Sequence, residues 1–272
     1  MNFDSLLIIG AKNFLTPYFV KCFSEDYPLV SPKKIFAEKL PEDFNGTAIA
    51  VVCDMAKLTK DTPVNGICYA IGLSSTSIYA EEEGLNFNEE TLLNDSSDKY
   101  VAEQHFVSHF AEIPNLILRL PELVIGTEMD NLGIKIAHQI FRGSYSHIQD
   151  KDGHCSAVHA TAVAEATVKC IEKNITGIYN FNDGINHPVS EIAETLAHRL
   201  GDRRIFTISD GKARFCRFIG DIFGIEGWNS KMYRFKTQDL TFSAERLLSA
   251  LNFRPTSVTE YVKNHVYDEN SL

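Results

Sequence analysis

The sequence predicts an α/β fold: a doubly wound parallel sheet with a smaller C-terminal region. Three observations predict it. Short apolar runs alternate with segments of helical periodicity along most of the chain, the pattern of repeated βαβ units. Several runs are continuously apolar, as strands buried on both faces are. The first of them, Ser5 to Gly10, ends in glycine ahead of a helical segment.

The elements follow in order. SLLIIG (Ser5 to Gly10) is a buried strand, and Phe14 to Phe23 a helix that tolerates Pro17 in its first turn. KKIFAEK (Lys33 to Lys39) is a second strand. TAIAVVCD (Thr47 to Asp54) and GICYAIGLSS (Gly66 to Ser75) are two more buried strands. Lys99 to Phe110 is helical, with Val101, Phe106 and Phe110 among its apolar positions, and Asn115 to Gly126 starts as a strand. Val158 to Lys173 is a second clear helix and Gly177 to Asp183 a strand. Ser190 to Leu200 is a helix with Ser190 as N-cap, Glu191 and Glu194 in the first turn, an apolar stripe (Ile192, Leu196, Leu200) and Gly201 as its stop. Beyond Gly201 the chain is aromatic and basic in patches (Arg203, Arg204, Arg214, Arg217, Arg234), and the tail from Val266 frays. The domain expectation is residues 1–127 plus about 156–185 for the sheet, and about 128–155 plus 186–272 for a substrate-facing region.

Composition narrows the function classes. The 272 residues are 44% hydrophobic and 23% charged, enough for one large or two modest domains. The formal net charge of -10 disfavours nucleic acid or an anionic membrane as main partner. An anionic small molecule stays open, since a few local cations suffice. Six cysteines are widely spread without a CxxC pair, so they suggest buried thiols of a reducing compartment rather than a zinc or redox motif. The apolar stretch Leu6 to Ile9 is too short for a signal peptide or a span, so the expected location is cytoplasmic.

Six segments occur in one order: SSTSIY (Ser74 to Tyr79), NEETLL (Asn88 to Leu93), AEQ (Ala102 to Gln104), LRLPELVIG (Leu118 to Gly126), SAVHATAVAEA (Ser156 to Ala166) and GIYNFNDG (Gly177 to Gly184). Together they resemble the extended short-chain dehydrogenase/reductase family, the nucleotide-sugar epimerase and dehydratase group. The matching family segments are the SSxxVYG strand end and the acidic turn after it, the lysine-bearing helix, the LRxxxxYG strand, VHVDDVAxA, and VYNVGDG. The resemblance implies a Rossmann-type fold, NAD or NADP as cofactor, and a small-molecule substrate such as a nucleotide sugar. Family members often pair as homodimers through two helices. Here the helix after Lys99 is the candidate, with Phe106 and Phe110 serving either that face or the core.

In the family the first βα turn is GxxGxxG, where glycines let backbone approach the pyrophosphate. This chain has Gly10-Ala-Lys12-Asn13-Phe14-Leu15-Thr16. Only the first glycine is kept, Asn13 is a partial substitute through its tolerance of left-handed backbone, and Thr16 adds bulk. Glu38 ends the second strand where an acid holds a ribose diol, whereas Lys33, Lys34 and Lys39 would favour a 2′-phosphate. The resemblance also sets Lys12, Phe14, Leu15, Asp54, Ser74, Lys99 and Pro121 around the cofactor.

Catalysis in the family uses a tyrosine, a lysine four residues later and a serine or threonine. A phenol of pKa about 10 becomes a usable base only beside a fixed positive charge. Ser75 matches the hydroxyl, four residues before Tyr79, with Thr76 beside it toward the substrate. Anchored on Glu103, the lysine is Lys99 and the tyrosine position holds Asp95, which at neutral pH only accepts. A second register puts Tyr100 on the tyrosine and Gln104 on the lysine. Either Tyr79 or Tyr100 acts from a shifted place, or the chemistry is lost. Neither Asp nor Glu follows Thr76, which disfavours the dehydratase branch.

Arg142, Arg217 and Arg234 are candidates for a substrate diphosphate, since guanidinium matches phosphate bidentately, and His159 is a candidate substrate contact. His147, His154 and His159 do not line one helix face at their spacing, so no metal is expected. Two functions remain: an NAD(P)-dependent epimerase or reductase with a degenerate site, and a catalytically silent Rossmann module that binds a nucleotide or a protein.

Overall fold

A computed structural model describes residues 3–26, 34–62, 64–80, 83–126 and 132–264. The first half builds the sheet. β1 (Ser5–Ile9) leads into α1 (Thr16–Lys21), which continues as a π-helical turn over Cys22–Asp26. β2 (Lys34–Ala37), β3 (Ala48–Val52), β4 (Ile67–Ser75), β5 (Gly84–Phe87), α2 (Asp98–His109) and β6 (Asn115–Leu120) follow. After β7 (Leu123–Ile125), α3 (Leu132–Phe141), β8 (Ser146–Ile148) and β9 (His154–His159), the chain returns through α4 (Ala160–Glu172) to β10 (Gly177–Asn180). The remainder is β11 (Asn186–Pro188), α5 (Val189–Arg199), β12 (Phe206–Ile208), α6 (Asp210–Phe223), α7 (Ser230–Thr237), β13 (Leu240–Phe242), α8 (Glu245–Leu251) and α9 (Val258–Asn264).

The main sheet runs β10-β6-β4-β3-β1-β2, and every pair in it is parallel. The continuously apolar runs are the reason. Leu6 and Ile8 of β1 pack into the layer of α1 and α4, while Leu7 and Ile9 pack into the layer that holds Phe106 and Phe110 of α2. Both faces are therefore buried, and β1 and β3 are fully so. Phe106 and Phe110 belong to this core, which decides between the two roles left open for them. The chain leaves β1 for the edge at β2 and crosses back to β3 on the other side. That reversal opens a crevice at the carboxyl ends of the strands.

A second sheet, β11-β9-β13-β5 with β7 also on β9, stands beside the first, and β8 pairs with β12. Its core holds Leu123, Ile134, Ile140, Ile192, Leu196 and Val262. The run from Asn115 starts as the expected strand, and two helix starts are corrected. The run from Asn115 breaks at Pro121, which lacks an N–H, so β6 stays in the first sheet and β7 joins the second. Val158 and His159 finish β9, and the helix starts at Ala160. Ser190 is not the cap of α5: Pro188 holds that place, and the Ser190 N–H donates to Asp152 at 3.0 Å. Lys33 and the tail from Val266 lie outside the described residues, as does the 127/128 boundary.

The basic, aromatic stretch after Gly201 is largely committed to packing and pairing. Arg203 lies over the Phe141 ring, Arg204 over Phe206, and Arg214 pairs with Asp210 at 2.9 Å. The outer face of α6 leaves Phe215, Phe218, Ile222 and Phe223 exposed. Lys236 of α7 is buried beside Tyr145 and Trp228, its ammonium 3.9 and 5.3 Å from their ring centres, and Nζ donates to the Ser146 carbonyl at 3.0 Å. Desolvation pulls the Lys236 pKa down to about 8. Among the described residues no helix is long and apolar enough to cross a membrane.

Candidate active site

The turn after β1 needs glycine at one position. Gly10 sits at φ +77°, and a Cβ there would lie 2.6 Å from Asp54 Cβ. Asp54 caps the 3-10 turn Met55–Lys57 by accepting from Ala56 N at 3.1 Å. Glu38, just past β2, is itself left-handed at φ +66°, a strained setting for a side chain of its size. Its carboxylate lies over the turn, where it accepts from Gly10 N at 3.2 Å and Ala11 N at 2.9 Å. Asn13 departs from the expectation. It is not among the left-handed residues and works through its side chain, with Nδ2 donating to Cys53 O at 3.1 Å and Oδ1 accepting from Leu15 N at 3.0 Å. Thr16 opens α1, and Lys12 is exposed and lines neither cavity described below.

Two cavities lie at the carboxyl ends of the strands. The larger, about 500 Å³, is lined by Asn13, Phe14 and Leu15 of the turn, Ser74 and Ser75 of β4, Lys99 of α2 and Pro121 after β6. Lys135 and Lys231 also face it. The turn and the strand-end hydroxyls, distant in sequence, thus share one space. Ser75 Oγ accepts from Ser77 N at 3.2 Å and Ser77 Oγ at 3.1 Å, which leaves its own hydrogen to donate. The smaller cavity, about 290 Å³, adjoins it and shares Pro121, Glu122, Lys231 and Phe235. A Lys231–Glu122 ion pair of 2.9 Å stands at that shared rim. Thr76, Tyr79, His154, Arg234 and Gln238 line the smaller space.

The Tyr79 hydroxyl is already committed. Tyr79 OH donates to Asn180 Oδ1 at 2.7 Å and accepts from Arg119 Nη1 at 3.2 Å, and burial pushes its phenol up. Arg119 in turn forks onto the buried Glu103, Nε to Oε1 at 3.0 Å and Nη2 to Oε2 at 2.7 Å. This network ties together four of the six segments singled out in the sequence. Tyr100 packs against Ile78, Tyr79 and Phe242 and lines neither cavity. Asp95 is exposed and accepts from Ser96 Oγ at 3.2 Å.

The substrate candidates separate. Arg142 follows α3, exposed and away from both cavities. Arg217 stacks over the Tyr233 ring at 5.1 Å and also lines neither. His159 is the N-cap of α4, accepts from Ala162 N at 3.1 Å and stacks on Tyr261 at 4.2 Å, so helix capping and packing use it. Thr76 and Arg234 remain on the smaller cavity. The three histidines serve three purposes: His147 lies 3.7 Å from Glu194, His154 bonds Asp239 and His159 caps.

Sequence reasoning missed Arg119 with Glu103, although a charge inside the apolar run NLILRL was a signal. It also missed Gln238, Asp239, Glu122 and Lys231, for which no local pattern exists. Of the cysteines, Cys22, Cys53, Cys155 and Cys170 are buried, and burial lifts the Cys53 thiol to about 12.

No family model matches the sequence, and no curated protein sequence matches it. Solved structures do. A putative epimerase from Burkholderia cenocepacia is 14% identical, with 95% of each chain covered and a TM-score of 0.66. A human epimerase family protein with NADPH is 10% identical, with 97% of this chain and 99% of that chain covered and a TM-score of 0.69. UDP-glucuronic acid 4-epimerase from Bacillus cereus, in complex with NAD, is 13% identical, with 97% and 95% covered and a TM-score of 0.65. At such identities the likeness speaks to architecture, and over nearly its whole length this chain has the Rossmann-type fold of the epimerases.

Proposed function

We propose that this chain binds a nicotinamide dinucleotide in the larger cavity and acts, as an epimerase- or reductase-like protein, on the sugar ring of a nucleotide sugar, or on a similar small carbonyl or alcohol, in the smaller one. One observation carries this reading: Asn13, Phe14 and Leu15 of the first βα turn line the same cavity as Ser75 and Lys99.

The residues present fit such a cofactor. The Glu38 carboxylate stands at the Gly10 turn, where a ribose diol is held. Among the described residues, Lys99, Lys135 and Lys231 against Glu122 give the cavity wall a net positive charge for a pyrophosphate. The cations matter more here than in a glycine-rich turn, because Glu38 and Asn13 already occupy the amides of Gly10, Ala11 and Leu15. When bound, the nicotinamide ring supplies a hydride acceptor or donor. Ser75 would donate its hydrogen to a substrate oxygen, and Lys99 would hold the adjacent ribose hydroxyls. Glu38 favours a diol over a 2′-phosphate by charge repulsion, so NAD(H) is the expected form.

A thermal-shift titration with NAD, NADH, NADP and NADPH tests this. At a hundredfold excess over Kd, binding adds about 2.7 kcal/mol, or roughly 5–10 °C for a chain of this size. NAD or NADH is expected to give that shift, and Glu38→Gln to move the preference toward NADP(H). No shift from any of the four at millimolar concentration refutes the reading. It would favour the silent module, a reading motivated by the engaged amides of the turn and the committed phenol of Tyr79.

A further inference from the structure

The smaller cavity holds groups that the fold leaves unsatisfied. Thr76 Oγ1 and Gln238 Oε1 are buried without a hydrogen-bond partner among the described residues, and both residues line it. A buried polar atom in that state costs free energy unless something else completes it. Gln238 Nε2 donates to Glu83 Oε2 at 2.9 Å. A carboxylate only accepts, so that bond fixes the amide with its nitrogen on Glu83 and its oxygen left over.

His154 lines the same cavity. Asp239 Oδ1 takes both its backbone N–H and its Nδ1, each at 2.9 Å. The carboxylate again only accepts, so the proton of the neutral ring lies on Nδ1 and Nε2 keeps a lone pair. The pairing also holds Asp239 below the usual carboxylate range. The other wall is apolar, with Leu240 and the stacked Tyr79–Phe242 pair at 5.5 Å, while Arg234 and Lys231 add positive charge. About 290 Å³ is room for one ring-sized group, not a whole nucleotide.

We propose that the smaller cavity takes the hydroxylated ring of a phosphorylated sugar, and that His154, positioned by Asp239, is the catalytic residue that exchanges a proton with one of its hydroxyls. The ligand O–H bond breaks as the bond from that hydrogen to Nε2 forms. The proton becomes part of an imidazolium opposite the Asp239 carboxylate, and the oxygen keeps the electron pair. The reverse step returns the proton. Thr76 and Gln238 take neighbouring hydroxyls, Gln238 as acceptor. This role is the one that Tyr79, bonded to Asn180 and Arg119, is not free to fill. The proposal rests on the dinucleotide reading for the rest of the reaction, but the ring site stands on its own residues.

The test uses the whole chain with ¹⁵N-labelled histidine, His154 being assigned through His154→Gln. The probes are glucose 1-phosphate and UDP-glucose. In the free protein the neutral His154 ring is expected as the Nδ1–H tautomer, and Asp239→Ala converts it to Nε2–H. Both probes are expected to move the Nε2 resonance. Thr76→Val and His154→Gln each weaken probe binding roughly fivefold to tenfold, and Thr76→Ser, which restores the hydroxyl, holds it within about twofold. The dinucleotide-induced shift, read on the same samples, stays at the wild-type value in the Thr76 and His154 variants. An unmoved Nε2 resonance with both probes, or equal affinity in Thr76→Val, overturns the proposal. Probe binding without a dinucleotide shift refutes the cofactor reading and leaves the ring site standing. A dinucleotide shift without a probe effect does the opposite.

Discussion

Replacing Lys236 by methionine should abolish a specific rise of stability with pH. The ammonium is buried between Tyr145 and Trp228, and desolvation brings its pKa from 10.5 to about 8. A group whose folded pKa is depressed gives stability that is present above the unfolded pKa and lost as pH falls through the folded one. The window is therefore pH 8 to 10.5. Below it the protein carries a buried cation at full cost, and above it the amine is neutral in both states. At 1.36 kcal/mol per unit, the wild type should gain about 2.5 kcal/mol between pH 7 and pH 10 from this group alone. Lys236→Met has a similar length and no titration. It loses the hydrogen bond to the Ser146 carbonyl, about 1 kcal/mol, but at every pH alike. Urea unfolding of both proteins at pH 7, 8, 9 and 10 isolates the effect, because all other titrations cancel in the difference. Wild type minus variant should climb by about 2.5 kcal/mol over that range. Parallel curves would refute the argument, and so would a climb below pH 7.

Three further outcomes follow from the geometry. Arg119→Met leaves the Glu103 carboxylate alone in the core and should cost about 3–5 kcal/mol in chemical denaturation, a loss under about 1 kcal/mol contradicting the buried pair. Gly10→Ala meets both a positive φ and the Asp54 backbone, so it should lower stability by about 1–3 kcal/mol and suppress the dinucleotide-induced thermal shift; an unchanged midpoint would show that the turn is not strained. Phe218→Ser with Phe223→Ser on the exposed face of α6 should change stability by less than about 0.5 kcal/mol per site in the same assay, a larger loss showing that the face is covered.

The parallel sheet was legible because its information is local. A strand buried on both faces must be apolar at every position, and SLLII and AIAVV say so without reference to any partner. The meeting of Asn13, Ser75 and Lys99 at one cavity was legible for a related reason: their places are set by where a strand or helix ends, and the strand ends all deliver to one edge of the sheet. The second sheet was not. Its strands β5 and β13 are short, and β13 gains its neighbours only when segments more than 80 residues apart meet. Ser190 shows the same limit at a single residue, since it lies inside the first turn and Asp152, 38 positions earlier, accepts its N–H in the place of a local capping side chain.

The sequence alone therefore determined the parallel architecture and the edge where a site would open, because burial on two faces writes a continuous apolar run into each strand. Tertiary structure decided what chemistry stands there. Asp239 turns His154 by a contact across 85 residues, Arg119 and Asn180 claim the Tyr79 phenol, and Glu38 claims the amides of the first turn. A hydrogen bond to a distant partner leaves no period or spacing in the chain, yet it sets which lone pairs and protons remain available to a ligand.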